Sequence, residues 1–142
     1  MQSIYILGPV GILFLGRAAA TSDFSRTCDE IYVDSDSVEA KCEPHTPMGP
    51  PWICSKLDLN LCLGVQYGHL VARDNGRFSD WCGTCGEVDS RIFGCQCWTG
   101  TYHGDGQPVY QYTEFDLDTV IGNDFGYLRC FDNIAPKSDG CI

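Results

Sequence analysis

Basic residues are scarce in this sequence of 142 residues: nine Lys and Arg stand against nineteen Asp and Glu, and the formal net charge is −10. Proteins bind the phosphates of nucleic acids and anionic membrane surfaces through clusters of Lys and Arg. The acidic balance therefore argues against nucleic acid and anionic membranes as partners.

Long hydrophobic runs are absent after residue 20, so the sequence offers no segment of about 20 apolar residues that would insert in a membrane. The one earlier run, from Ile4 to Leu15, is broken by Gly and Pro and leads to three alanines ending at Ala20. Small residues after a short apolar segment are typical of a signal-peptide cleavage site, although no basic residue precedes this run. We interpret residues 1–20 as a signal peptide and predict a secreted, extracellular protein.

The sequence also has few of the residues that catalysis and metal binding need. Its three histidines, His45, His69 and His103, fall in unrelated loops or turns. No nucleophile, general base or carboxylate pair forms a recognisable constellation. We therefore predict neither an enzyme nor a cofactor.

Cysteine, by contrast, is abundant: ten residues, all in the segment after residue 20. The spacings Cys82-x2-Cys85 and Cys95-x-Cys97 superficially resemble a zinc site. In an exported chain, an even number of cysteines is better explained by disulfides. We expect a disulfide framework and no metal site.

An internal repeat organises the chain. The stretch LDLNLCLGVQYGHL at 57–70 aligns without a gap with FDLDTVIGNDFGYL at 115–128, and the F-S-x-x-C motif ending at Cys28 recurs at Cys82. Repeats of this size do not bury a full hydrophobic face alone, so we expect two pseudo-twofold halves that share strands. We assign 21–131 to one domain, with repeat one at about 23–77, repeat two at about 78–131, and a C-terminal tail at 132–142.

The local patterns predict a mainly β chain with one-turn helices. Segments 28–33, 37–43, 82–88 and 91–98 are typical of two hairpins. Asp58 and Asp116 are expected to cap helical turns that Gly64 and Gly122 end. Tyr67-Gly68 and Phe125-Gly126 are expected to form tight hairpin turns with positive φ. Trp52, after two prolines, is interpreted as a lid over the core.

These same motifs, F-S-x-x-C, VEAKC ending at Cys42, SKLDLN at 55–60 and IGNDFGYL at 121–128, resemble the cyanovirin-N homology (CVNH) family over nearly all of 23–131. The resemblance implies a secreted lectin for mannose-rich glycans or glycoproteins, without catalysis or metal. It also implies a pseudo-twofold fold of two repeats, with triple-stranded sheets, β-hairpins and short helical turns, and one sugar site in each half.

The resemblance further implies two framework disulfides, Cys28–Cys42 and Cys82–Cys97. Cys85 and Cys95 face each other across the second predicted hairpin, so a nested disulfide is expected there. The remaining cysteines, Cys54, Cys62, Cys130 and Cys141, have three possible pairings, which stay open.

Site residues carry over from the family by position. In the half containing the chain termini, Thr27, Glu43 and Asn123 match the family in type, whereas others differ; the predicted carbohydrate site there comprises Asp23, Arg26, Thr27, Glu43, His45, Asn123 and Asp124. In the other half, Gly64 and Val65 replace polar residues, and tryptophans are gained that would either stack on a pyranose or fill the core. The possible second site comprises Arg77, Asp80, Trp81, Trp98, Thr99 and Tyr102.

Two functions are compatible with the sequence. The first is a secreted lectin that acts mainly through the half containing the termini. The alternative is a disulfide-rich secreted scaffold or interaction protein that retains the fold but has lost sugar binding.

Overall fold

A computed structural model describes residues 22–141, so the predicted signal peptide lies outside the described part of the chain. The strands within these residues are β1 Cys28–Val33, β2 Ser37–Cys42, β3 Ile53–Asp58, β4 Leu63–Gln66, β5 His69–Ala72, β6 Cys82–Asp89, β7 Ile92–Tyr102, β8 Pro108–Asp116, β9 Gly122–Asp124, β10 Tyr127–Cys130 and β11 Asn133–Ile134. One-turn 3-10 helices lie at Phe24–Arg26, Leu59–Leu61, Phe78–Asp80 and Leu117–Thr119. None of the helical turns described has the length and apolarity needed to cross a membrane.

All strand pairs are antiparallel and follow the repeat. Each repeat contributes a three-stranded sheet, β1–β2–β3 or β6–β7–β8, and then a hairpin, β4–β5 or β9–β10, with β11 added beside β10. The mainly β, pseudo-twofold fold predicted from the sequence is therefore confirmed. One departure is the length of β7, which continues to Tyr102 and makes a long arm with β8.

Two carboxylates begin equivalent helical turns, as predicted. The side chains of Asp58 and Asp116 accept hydrogen bonds from the backbone N–H groups of Asn60 and Asp118, at 2.9 and 3.0 Å. This is the usual N-cap interaction, which satisfies one donor that a helix start leaves without a partner. The caps place Asn60 and Asp118 at matching points of the two repeats.

The prediction that Gly64 and Gly122 end these turns is wrong. The turns end earlier, where the backbone N–H groups of Cys62 and Val120 donate to the carbonyl three residues before. A 3-10 turn closes within three residues and needs no left-handed glycine. Gly64 and Gly122 instead lie within β4 and β9.

Tight turns in the two hairpins match the prediction. Both residues of Tyr67-Gly68 have positive φ, 51° and 80°, and both residues of Phe125-Gly126 do so at 50° and 99°. Such turns match the right-handed twist of a two-stranded hairpin. The second turn also lies close to repeat one: a Cβ on Gly126 would be 2.8 Å from the side chain of Ile53.

Each hairpin packs on the sheet of the other repeat: β5 lies against β8, and β10 lies against β3. Two equivalent hydrogen bonds cross this contact. The N–H of Leu70 donates to Thr113 Oγ1 at 3.1 Å, and the N–H of Leu128 donates to Ser55 Oγ at 2.9 Å. The halves are therefore joined by exchanged hairpins, which packs the apolar faces of both repeats into one core.

Five disulfides reinforce this arrangement. Three of them cross the predicted hairpins, and two connect distant segments; the pairs are Cys28–Cys42, Cys82–Cys97, Cys85–Cys95, Cys62–Cys130 and Cys54–Cys141. The sequence left three pairings of the last four cysteines open. In the structure Cys62–Cys130 joins repeat one to the end of repeat two, and Cys54–Cys141 joins repeat one to the tail. The tail is held on β3 by Cys141 and by a bridge between Ser55 and Lys137.

We expect Ser55→Ala to lower the free energy of unfolding by about 1–3 kcal/mol, because it leaves the Leu128 N–H without an acceptor in the core. The matched control is Ser35→Ala, in an exposed turn, which should change stability by less than about 0.5 kcal/mol. Urea unfolding of both variants, with disulfides intact, measures the difference. Equal midpoints for the two variants would contradict a stabilising role for the crossing hydrogen bond.

Candidate functional site

The terminal half, which we define as β1–β3 with β9–β11, and the internal half, β6–β8 with β4–β5, share one backbone arrangement beside the first disulfide of each repeat. In the terminal half, the N–H of Glu43 donates to the carbonyl of Thr27 at 3.0 Å. In the internal half, the N–H of Trp98 donates to the carbonyl of Trp81 at 2.9 Å. Equivalent positions thus carry Thr and Glu in one half and two tryptophans in the other.

Asn123 organises the site of the terminal half. Its Nδ2 donates to Thr27 Oγ1 at 3.0 Å and to the Glu43 carbonyl at 2.9 Å, while its Oδ1 accepts from the N–H of Gly126 at 2.7 Å. The residue is only 7% exposed. Both amide hydrogens are therefore used internally, and Asn123 positions Thr27 and Glu43 rather than presenting its own amide donors to solvent.

The groups left for a ligand are the Thr27 hydroxyl and the Glu43 carboxylate. Because Thr27 Oγ1 accepts from Asn123, its own hydrogen remains to be donated. The carboxylate is half exposed, and its Oε2 lies 3.8 Å from Nδ1 of His45. His45 has a φ of 56°, which turns the backbone away from β2 directly after this group. The arrangement offers one hydroxyl donor, two carboxylate acceptors and an imidazole.

The other predicted residues of this half are not part of that group. Asp124 is held by Arg129, whose Nη1 donates to Oδ2 at 3.0 Å. Asp23 and Arg26 are exposed and line a separate polar depression with Arg91. The residues predicted for this half therefore form two sets. Thr27, Glu43 and His45 lie together around Asn123, whereas Asp23, Arg26 and Asp124 lie outside this set.

Trp52 does not pack as a lid over the core, which corrects the sequence interpretation. It is 38% exposed and lines an open depression with Glu43, His45 and the prolines of the intervening loop. The two consecutive prolines before it restrict the φ angles of the loop backbone. An aromatic side chain therefore stands near the polar group of the terminal half.

The tryptophans of the internal half are stacked on each other and do not fill the core. The rings of Trp81 and Trp98 lie 5.4 Å apart at an interplanar angle of 13°, and Tyr102 meets Trp98 edge-on at 5.5 Å. Trp98 is fixed further by its Nε1, which donates to the Thr101 carbonyl at 2.9 Å. Trp81 remains 46% exposed.

Polar residues around the tryptophans are partly committed to local contacts. Arg77 Nε donates to Asp80 Oδ2 at 2.9 Å, and Thr99 Oγ1 donates to the Val109 carbonyl at 2.9 Å. Val65, the equivalent of Asn123, has no side-chain hydrogen-bonding group. The internal half thus lacks the polar connection that organises the terminal half.

An open depression on the outer face of β6–β7–β8, which we call the aromatic groove, includes residues that the sequence reasoning missed. It encloses about 500 Å³ and is lined by Asp80, Trp81, Cys82, Gly83, Thr84, Gln96, Trp98 and Tyr110. Tyr110 lies opposite Trp98 in the register of β7 and β8. A sequence signal for Tyr110 does exist: side chains alternate along a strand, so Tyr110 and Tyr112 are expected on the same outward face of β8.

Tyr112, on the same strand as Tyr110, is bonded to a carboxylate two residues further along the chain. Its hydroxyl donates to Glu114 Oε2 at 2.8 Å, and loss of this hydrogen bond on ionisation raises the pKa of Tyr112 above its usual value of 10.0; desolvation and the nearby charge act in the same direction. The phenol is therefore neutral at physiological pH.

The cysteine sulfurs near Cys82 cluster closely enough to suggest metal ligation. All ten cysteines of residues 22–141 are paired in disulfides, including Cys82 with Cys97 and Cys85 with Cys95. A disulfide sulfur is not the thiolate that zinc binds. The cluster is explained by its two neighbouring disulfides.

Residues 24–129 match the sequence model of the CVNH domain, and since this match spans most of the chain, the protein belongs to the CVNH domain family. No curated protein sequence matches the chain.

Solved structures of this family share the fold. An MoCVNH3 variant (Mo0v) in complex with (N-GlcNAc)4 is 17% identical, with a TM-score of 0.63 over 80% of this chain and 99% of that chain. Microvirin, solved in a mannobiose complex, is 26% identical, with a TM-score of 0.56 over 78% of this chain and 99% of that chain. GzCVNH from Gibberella zeae is 24% identical, with a TM-score of 0.54 over 75% of this chain and 95% of that chain.

We expect Asn123→Ala to lower the free energy of unfolding by about 1–3 kcal/mol, because the N–H of Gly126 and the Glu43 carbonyl lose a partner. Gln66→Ala is the control, since Gln66 is an exposed residue of β4 with no side-chain hydrogen bond among residues 22–141. Chemical denaturation gives both values. If Asn123→Ala is as stable as Gln66→Ala, the hydrogen bonds of Asn123 do not stabilise this part of the fold.

Proposed function

We propose that this protein is a secreted lectin that binds mannose-containing glycans mainly through the terminal half, at Thr27, Glu43 and His45. Membership of the CVNH domain family supports carbohydrate binding in general. Two relatives of the same fold were solved with oligosaccharides, one with mannobiose and one with (N-GlcNAc)4. The function is binding, without a catalytic step.

The chemistry of the terminal half supports mannose as the sugar. A mannoside presents neighbouring hydroxyl groups, each of which donates one hydrogen and accepts others. The Glu43 carboxylate can take two hydroxyl hydrogens at once, and the Thr27 hydroxyl can donate in return. Hydrogen bonds to a charged group contribute about 1.5–3 kcal/mol, more than bonds between neutral groups. The observation that carries the proposal is the Asn123 contact, which holds the Thr27 hydroxyl beside the backbone of Glu43.

The predicted export of the protein fits this choice of partner. Five disulfides suit an oxidising environment such as the cell exterior, where glycoproteins are exposed. The first twenty residues have the pattern of a signal peptide. We propose that the protein acts outside the cell on glycans or glycoproteins.

Glu43→Ala should weaken mannobiose binding by roughly 10- to 150-fold, equivalent to about 1.5–3 kcal/mol, because it removes the charged acceptor. Glu30→Ala is a close control: its side chain is 54% exposed, against 48% for Glu43, and it lies in the same half but pairs with Lys41. Calorimetric titration of the oxidised protein measures both affinities.

Wild-type affinity in Glu43→Ala would refute the assignment of the site. A wild-type protein that gives no heat with any mannoside would refute mannose binding, and would favour the alternative of a scaffold that keeps the fold without the sugar.

A further inference from the structure

The aromatic groove of the internal half differs in chemistry from the site of the terminal half, although it is built beside the same backbone contact. Where the terminal half has Thr27, Glu43 and Asn123, the internal half has Trp81, Trp98 and Val65. The carboxylate acceptor and the buried amide are both replaced by apolar side chains. A ligand suited to one of these surfaces is therefore poorly suited to the other.

The aromatic surface of the groove is fixed in advance. Trp98 is held between Trp81 and Tyr102 and by its hydrogen bond to the Thr101 carbonyl. It acts as a positioning residue for Trp81, which covers Trp98 with one face and is still 46% exposed. Tyr110, 54% exposed, lies across the strand pair from Trp98. Little side-chain freedom is lost when a ligand stacks on rings that are already held.

The groove is open at its glycine. It contains Gly83, where a Cβ would meet no atom within 4 Å. Gln96, its neighbour across the strands, is exposed and makes no side-chain hydrogen bond within the described residues. Thr84 is also exposed, and its hydroxyl makes no hydrogen bond among residues 22–141. Uncommitted amide and hydroxyl groups therefore lie beside the aromatic rings, which is the composition of a typical small-ligand site.

Charge narrows the class of ligand. The net charge is −10, and the one carboxylate in the groove, on Asp80, is already paired with Arg77. Anionic ligands, including the phosphates that accompany nucleobases, would be repelled. A neutral ligand with a flat C–H face and hydroxyl or amide groups at its edge fits the aromatic rings, Gln96 and Thr84 together.

We propose that the aromatic groove binds a neutral β-1,4-linked chain of hexopyranosides with equatorial substituents, of the glucose or N-acetylglucosamine type. In such a sugar all ring substituents lie at the edge, so both faces present C–H groups. Because successive β-1,4-linked rings are flipped, a chain needs both faces to be flat to lie as a ribbon along the aromatic groove, where Trp81 and Tyr110 are exposed. Mannose carries an axial hydroxyl that interrupts one face. The proposal does not rest on mannose binding by the terminal half, since residues and ligand both differ.

Tryptophan emission tests the proposal in a Trp52→Phe background. The chain has three tryptophans, so Trp81 and Trp98 are then the only reporters, and both belong to the groove. Chitotetraose, cellotetraose and mannobiose are titrated separately into the oxidised protein. We expect a saturable change with chitotetraose, cellotetraose or both, and none with mannobiose. A response to chitotetraose alone assigns recognition of the N-acetyl group, and a response to both assigns recognition of the shared ring face.

Variants then assign the contacts by calorimetry with the tetrasaccharide that binds. Trp81→Ala and Gln96→Ala should each weaken binding by about tenfold or more. Tyr32→Ala is the control, because Tyr32 is an exposed aromatic residue on β1 of the other sheet, 61% exposed against 46% for Trp81. Gln96→Ala removes an exposed side chain and should fold normally even if Trp81→Ala does not.

Three results would overturn the proposal: no emission change with either tetrasaccharide at millimolar concentration, an equal change with mannobiose, or unaltered affinity in Gln96→Ala and in a folded Trp81→Ala. Mannobiose binding that is lost in Glu43→Ala is a separate measurement. Failure of the groove therefore leaves the proposed function of the terminal half standing, and the reverse is also true.

Discussion

The hydrogen bonds that cross between the repeats, from Leu128 to Ser55 and from Leu70 to Thr113, are the contacts on which the remaining structure depends. They hold each hairpin on the sheet of the other repeat and so pack two incomplete apolar faces into one core. The same exchange brings Asn123, from repeat two, onto residues of repeat one. The site of the terminal half is therefore a product of the exchange, and neither repeat contains it alone.

Duplication has also produced two surfaces of different chemistry on one backbone arrangement. The same N–H to carbonyl contact beside a disulfide supports a threonine and a glutamate in one half and a stacked tryptophan pair in the other. In the terminal half, the buried side-chain amide of Asn123 has hydrogen-bond partners within the protein and thereby orients the neighbouring residues. In the internal half Val65 offers no amide at the equivalent position, and the aromatic rings pack on one another instead.

Much of the fold is predictable from the sequence because its signals are local and occur twice. The acidic caps, the glycine turns and the two predicted hairpins each follow from a few adjacent residues. Features that depend on distant segments could not: the pairing of Cys62 with Cys130, the packing of the tail, and the burial of Asn123. For the same reason, the sequence marked Trp81 but missed Gln96, which reaches the groove only through strand register.

The central claim is that the two halves offer different chemistry to different glycans. Two titrations of the ¹⁵N-labelled wild-type protein, followed by two-dimensional NMR, test it most directly. Mannobiose should move the amide signals of Thr27, Glu43 and His45, whereas a β-1,4-linked tetrasaccharide should move the indole signals of Trp81 and Trp98. If both sugars shift the same set of signals, the two halves do not differ in the way described, and the claim is contradicted.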